Sequence, residues 1–481
     1  SVKTLGGDVL SWCDRLTTVV FEDNSAIESI GNYAFYGSRA LKAINLSKVE
    51  EIGEGAFLGI NFSSVDLSSA TSVGSQAFSA NKGEEPLITI NNETPATIAS
   101  GAFPESAMFL VPGDATPTYK SADVWSDYAS RIFGRDVAVQ TIEVTAQEDG
   151  SGVLEAIGNE NQTNIVDLTV KGTINGYDFV MFKDKMLNLR FLDLSEAKIV
   201  ENPYCYYESH HSQNDTLGAY AFHQENKLLS IKLPKNVKYI GESAFNDCKK
   251  LTKIDLPNTI TAIGGSAFSG TGLTEIILPN KLERIGGSAF QSTQLKEIAF
   301  PTTLTTIEWG AFGDCGQLET VRIPSSLQYI SDYAFGGCSN LKNVYTYTIE
   351  PTDIDENTFS NFETVQLYVP TASGQNYYWN EGWKRFINVA EFDEEYEYFY
   401  LNNDHTLDES TGAIDGTPDA DLNAGSGLTV EDGVEQNMGD LNIQHDGTNG
   451  GSIIAGSEDG NIHADNLHVN INVESGRWYF F

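Results

Sequence analysis

The stretch Ile240-Gly241-Glu-Ser-Ala244-Phe245-Asn-Asp-Cys248-Lys-Lys-Leu251-Thr-Lys-Ile254-Asp-Leu256-Pro257 decides the fold, because it returns along the chain. Its Ala-Phe pair recurs with Phe at 35, 57, 78 and 103, and again at 222, 245, 268, 290, 312 and 335, with Thr358-Phe359 as a degenerate last copy. The spacing is 22, 21 and 25 residues in the first set and 23, 23, 22, 22, 23 and 24 in the second. A fixed period of this length is the signature of a stacked repeat.

Leu251, Ile254 and Leu256 end in an every-second-residue pattern, that of a strand with one buried face, and Pro257 stops it. The Ile-Gly-x-x-Ala-Phe segment is expected to form a tight turn and then a short helical or irregular turn, with Phe in the core. One coil cannot bury its own apolar face, but stacked coils can, with each strand pairing in parallel with the next. The chain therefore reads as two tandem solenoids followed by an all-β module.

Residues 1–137 read as a first array with its C-terminal cap, 138–218 as the N-terminal cap of a second array carrying an insertion, 219–392 as that array with its own cap, and 393–481 as an acidic β-rich module. Both caps share a pattern. Phe109-Leu110-Val111-Pro112 leads to Tyr119, Trp125 and Tyr128, and Leu367-Tyr368-Val369-Pro370 leads to Tyr377-Tyr378 and Trp383. The aromatics are expected to lie over the last coil, although a sugar platform is an alternative use for them. Asn175-Gly176 reads as a turn. The stretch from Pro203 to Asp215 is the longest departure from the repeat and is expected to project from the solenoid. Short alternating strands at 428–430, 441–444, 452–454 and 467–473 suit either a β-helical or a β-sandwich module. The array is already under way at residue 1, with Val9-Leu10 standing for Ala-Phe, and the chain stops on an apolar strand, so both ends are expected to be cuts in a longer protein.

The chain has 481 residues, 29 Lys and Arg against 67 Asp and Glu, and a formal net charge of -38. Such an acidic chain repels phosphate backbones and anionic lipids, which argues against nucleic-acid binding. From Glu391 onward there are 20 acidic residues against Arg477 alone, so the last fifth carries half the net charge. No apolar run is long enough to span a membrane as a helix.

The repeat resembles the BspA-like class of leucine-rich repeats over roughly residues 1–392. That resemblance implies a leucine-rich-repeat solenoid, export to the surface of an anaerobic gut or oral bacterium or beyond it, no catalytic centre, and adhesion to host proteins or other cells. The expected function is a non-catalytic adhesin that binds protein or glycan of host or neighbouring cells as a monomer. Glycan binding through the insertion, or a structural stalk, are the alternatives.

On stacked coils, Lys232, Asp255, Ile277, Ala299 and Arg322 fall in one outward column, and Lys253, Glu275, Glu297 and Thr320 in its neighbour. These are candidate binding residues, with Ile277 the one exposed anchor of an interface type. Tyr204, Tyr206 and Tyr207 of the insertion are the candidates for glycan. Catalytic motifs and metal-ligand spacings are absent from the sequence, and no cofactor is expected. Asp415, Asp419 and Asp421 offer oxygen ligands, but without the twelve-residue loop and closing Glu of a calcium site. A solvated acidic turn is the preferred reading. His210 and His211 are adjacent and diverge on a strand. Cys13, Cys248, Cys315 and Cys338 share one repeat phase, expected to hold free core thiols, with a Cys315–Cys338 disulfide as the alternative.

Overall fold

A computed structural model describes residues 2–16, 18–21, 27–79, 85–158 and 161–392 with their side chains, and beyond these the backbone of strands between 399 and 470. The chain divides into two compact units, Ser1–Gln140 with Thr163–Asp167, and Thr141–Gln162 with Leu168–Phe481.

In both units most coils contribute two strands, not one. The expected Leu-x-x-Ile-x-Leu strands form one parallel sheet: Ser64–Asp66, Leu87–Thr89, Met108–Val111 and Ile132–Gly134 in the first unit. Their counterparts in the second are Glu297–Ala299, Thr320–Ile323, Asn343–Thr346, Gln366–Pro370 and Asn388–Phe392. The residues around Ile-Gly form a second parallel sheet of two-residue strands. In the second unit it runs Thr216–Leu217, Tyr239–Ile240, Ala262–Ile263, Arg284–Ile285, Thr306–Ile307 and Tyr329–Ile330. Glycine follows four of these six strands because neighbouring coils come close. A Cβ on Gly241 would lie 2.5 Å from the backbone nitrogen of Ala219, and one on Gly286 2.6 Å from that of Gly265.

The third side of the coil is neither helical nor irregular. In all ten Ala-Phe copies the residue before Ala is left-handed, with φ from 53° to 71°. Seven of these residues are not glycine, and each such conformation costs about 1–2 kcal/mol. The return is a third line of hydrogen bonds between coils, because the kink aims alternate amides the same way. Ser243, Phe245 and Asp247 donate to the carbonyls of Gly265, Ala267 and Ser269 at 2.9, 2.7 and 2.8 Å.

Inside, the repeated Phe rings stack. Centroids are 5.1–5.4 Å apart from Phe35 through Phe103 and from Phe222 through Phe359, with planes within 16° of parallel. The repeat-phase thiols sit beside this ladder and are free. Cys248, Cys315 and Cys338 donate to the carbonyls of Phe222, Phe290 and Phe312 at 3.0, 3.1 and 3.2 Å. Ser38 makes the same bond to Leu10 at 2.7 Å, so the phase calls for a small donor rather than for sulfur.

The aromatic ends of both stacks close the last coil by hydrogen bonding as well as packing. Tyr119, Trp125 and Tyr128 donate to the carbonyls of Asn92, Ala96 and Phe103 at 2.9, 2.8 and 3.0 Å. In the second unit Tyr377 and Trp383 donate to Thr348 and Thr352 at 2.8 and 2.6 Å. These bonds satisfy carbonyls that no further coil reaches.

Two expectations for the region before the second stack are corrected. Asn175-Gly176 is not a turn but the start of the helix Gly176–Asp184. Asn175 caps it reciprocally with Asp178, whose Oδ2 accepts from the Asn175 amide at 2.8 Å. The Pro203–Asp215 insertion does not project. It forms the antiparallel hairpin Asn202–Tyr207 with His210–Ser212, and buried Asn202, Tyr206 and Ser212 pin it to the body.

From 399 onward the strands pair in parallel and alternate between two sheets along the chain. Phe399–Leu401, Ala420–Leu422, Glu435–Gln444 and Asn461–Asn470 form one, and His405–Leu407, Gly427–Val430 and Ser452–Ala455 the other. Parallel pairing of alternate strands is the coiled, β-helical option rather than a sandwich of antiparallel neighbours.

Candidate binding surface

The register of the long strands brings the first predicted column together in two separate runs, with Ile277 paired in neither. Asp193 pairs with Lys232, Lys232 bridges Asp255, and Ala299 pairs with Arg322. The column then continues through Tyr345, Tyr368 and Ala390, which the repeat logic had not included. The neighbouring column runs from Glu297 through Thr320, Asn343 and Gln366 to Asn388.

The charges largely compensate one another. Lys232 pairs with Asp193 at 2.9 Å, Lys253 with Glu275 at 3.3 Å and Arg322 with Glu297 at 3.0 Å. Exposed pairs of this kind contribute little stability, on the order of 0–1 kcal/mol each, but they fix a pattern of sign along the face. Ile277 requires a correction. It is half-buried rather than exposed, and its coil makes no strand pairing between Glu275 and Ile277.

At its far end the face becomes aromatic. The Arg322 guanidinium lies 4.5 Å from the Tyr345 ring centroid, and Tyr345 stacks on Tyr368 at 4.4 Å and 7°. Phe392 closes edge-on against both tyrosines. Burial would lower the pKa of Arg322, but Tyr347 and Glu297 outweigh it and raise that pKa, so the guanidinium stays charged.

The tyrosines of the hairpin separate into three roles. Tyr204 is 55% exposed. Tyr206 is buried, its hydroxyl donating to the Ala219 carbonyl at 2.6 Å, and burial raises its pKa. It packs where Gly176 and Gly218 have no side chains, so it serves the fold and presents nothing to a glycan. Tyr207 stacks on Tyr220 at 4.8 Å and on His210 at 6.5 Å. On the same strand Cys205 pairs with His211, its Sγ 3.5 Å from His211 Nε2. Asp415, Asp419 and the side chain of Asp421 lie outside the described residues. Among the described residues no group of three or more His, Cys, Asp and Glu is arranged around a metal.

Sequence reasoning missed exposed aromatics on the turn side of the coils. Trp309, Tyr329 and Tyr333 are 54, 53 and 45% exposed. The usable signal was an aromatic at phases where most copies carry Ser, Gly or a short polar residue.

The BspA type leucine rich repeat region matches this chain in six copies, over residues 3–109, 215–342 and 310–378, which together span more than half its length. The chain belongs to the BspA-type leucine-rich repeat family. The segments matched to BspA-type repeats are the two coil stacks. Residues 110–214, with the first cap and the hairpin, fall between them.

Solved structures give matches as well. A leucine-rich repeat protein of T. pallidum is 32% identical, over 27% of this chain and 65% of that one, with a TM-score of 0.25. A leucine-rich repeat protein from Bacteroides ovatus is 18% identical over 54 and 68% of the two chains, with a TM-score of 0.29. A leucine rich cell surface protein from Faecalibacterium prausnitzii is 16% identical over 75 and 89%, with a TM-score of 0.26. This BspA-type chain thus spans about two thirds of the T. pallidum structure's length. No curated protein matches it. Among the described residues no helix is long and apolar enough to cross a membrane.

Proposed function

We propose that this chain is a non-catalytic binding and adhesion protein of the bacterial cell surface, recognising macromolecules of the host or of neighbouring cells through its long-strand face. The observation that carries the reading is the in-register column Ala299, Arg322, Tyr345 and Tyr368, with Lys232 and Asp255 bridged at the same phase two coils earlier. Its side chains are held at the spacing of paired strands by a stacked Phe ladder. A rigid, repetitive face with alternating sign suits an extended partner, because ordering it on binding costs little. Family membership favours the same reading. Under it, residues 1–137 and 219–392 are the binding arrays, 138–218 the entry to the second, and 393–481 an acidic module. The protein acts as a monomer.

The test is binding of the full chain to immobilised extracellular-matrix proteins and to mucin by biolayer interferometry. The reading expects saturable binding that weakens about tenfold in Lys232→Glu/Lys253→Glu and in Tyr345→Ala/Tyr368→Ala. Absence of binding across the panel, or binding indifferent to both double variants, overturns the assignment to this face.

A further inference from the structure

A second surface stands apart from the column. On the second coil stack two exposed aromatics, Trp309 and Tyr333, meet on the turn side, and a third, Tyr329, stands on the neighbouring two-residue strand. Trp309 directly follows Glu308, and its ring lies 5.9 Å from that of Tyr333 on the next coil, tilted by 54°. Tyr329 stands four residues before Tyr333 and pairs in register with Thr306, three residues before Trp309. The rings of Trp309 and Tyr333 are thus tilted neighbours, each about half exposed.

The backbone beneath is fixed. The Trp309 carbonyl accepts from Ser288 at 2.8 Å, and Tyr333 is left-handed at φ 57° with its amide held by Asp332 Oδ1 at 3.1 Å. The rim is polar and acidic. Glu308 is anchored by Arg284 and by the Gly287 amide, and Asp332 accepts also from Asn357 at 3.4 Å. From residue 219 to residue 350 the exposed large apolar side chains are Tyr239, Trp309, Tyr329, Tyr333 and Ile349, so four of the five are aromatic.

We infer that Trp309 and Tyr333, flanked by Tyr329, form a binding site for a neutral glycan. A pyranose presents an apolar C–H face that packs on the electron-rich face of an aromatic ring. Its hydroxyls must keep hydrogen bonds when they leave water. Rings with a carboxylate rim meet both needs. A protein interface would ordinarily add aliphatic contact to the aromatic anchors, and the patch has none. Arg284 offsets Glu308, so Asp332 supplies the negative charge of the rim, which selects against sulfated and sialylated chains by like-charge repulsion. The site does not depend on the long-strand face, so either can fail without the other.

The experiment is affinity electrophoresis of the full chain in native gels containing soluble β-glucan, galactomannan or mannan, with heparin as the polyanionic comparison. Retardation by at least one neutral polysaccharide is expected, with none by heparin. Trp309→Ala and Tyr333→Ala should each weaken it about tenfold or more, Tyr329→Ala less, and Tyr239→Ala not at all. The melting temperature should be unchanged, since the rings are exposed. A wild-type chain retarded by none of the neutral polymers overturns the proposal, as does retardation that survives Trp309→Ala and Tyr333→Ala. If these variants instead lose binding to a matrix protein, with no polysaccharide bound by the wild type, the patch docks protein and the glycan assignment falls.

Discussion

Phe245 and Phe268 lie face to face, their centroids 5.2 Å apart and their planes 9° from parallel, while the Phe245 amide donates to the carbonyl of Ala267 at 2.7 Å. Side chain and backbone of one residue thus hold the next coil together. Phe268 stacks on Phe290 in the same way at 5.2 Å. Phe268→Ala removes two stacking partners at once and leaves a cavity that flanking coils cannot fill, at a cost of about 3–5 kcal/mol. Urea denaturation of the second unit should show it. Phe268→Leu should cost markedly less, and equal losses from the two variants would contradict the ladder's role.

The cap predicts a polar penalty. Trp383 donates its indole N–H to Thr352 at 2.6 Å. Trp383→Phe keeps most of the packing but strips that carbonyl of its donor, costing roughly 1–3 kcal/mol. Tyr378→Phe, on an exposed ring, should change the urea midpoint hardly at all. Hydrogen exchange should locate the Trp383→Phe loss in the last coil.

The hairpin tyrosines should part company in a thermal melt. Tyr206→Phe loses the bond to Ala219 and should cost about 1 kcal/mol. Tyr206→Ala should cost about 3–5 kcal/mol through the void it leaves. Tyr204→Ala should stay within about 0.5 kcal/mol. If Tyr206→Ala were as mild as Tyr204→Ala, the hairpin would not be anchored through that ring.

Asp178 gives the second unit a pH dependence of unusual sign. It is fully buried, Oδ1 lacks a well-formed hydrogen bond, and burial pushes its pKa from 3.8 up to about 6. The folded state therefore holds its proton more tightly than the unfolded state. The associated stability is fully present below about pH 4, falls as pH rises through about 6, and is flat above. Between pH 7.5 and pH 5 the wild type should gain about 1–1.5 kcal/mol relative to Asp178→Asn, read from urea midpoints. Parallel midpoints in the two proteins would refute a raised pKa at this position.

The coil stack was legible because the same side chain is buried once per period, so Phe245 and its copies mark each coil without help from distant contacts. The pairings of Lys232 with Asp255 and of Ala299 with Arg322 followed from that period. The second sheet was not legible, since two-residue strands such as Ala262–Ile263 are too short to display an alternation. Asn175-Gly176 misled because a glycine at the first helical position masks a capping box closed by Asp178. Tyr206 was misplaced because its burial depends on Gly176 and Gly218, neighbours in space that no local pattern reveals. Trp309 and Tyr333 escaped notice because outward phases carry no periodic signal of their own.

The Phe rings keep a 5.1 Å separation across the 22 residues from Phe290 to Phe312 and 5.2 Å across the 23 from Phe245 to Phe268. A residue gained or lost in a surface turn leaves the stack unaltered. Unequal crossing-over between two copies of the repeat in a gene would therefore yield a chain one coil longer or shorter, with every remaining layer still in step. Reach can thus change by inheritance in single increments, while Trp309 and Tyr333 travel as a pair only if the break falls outside their two adjoining coils.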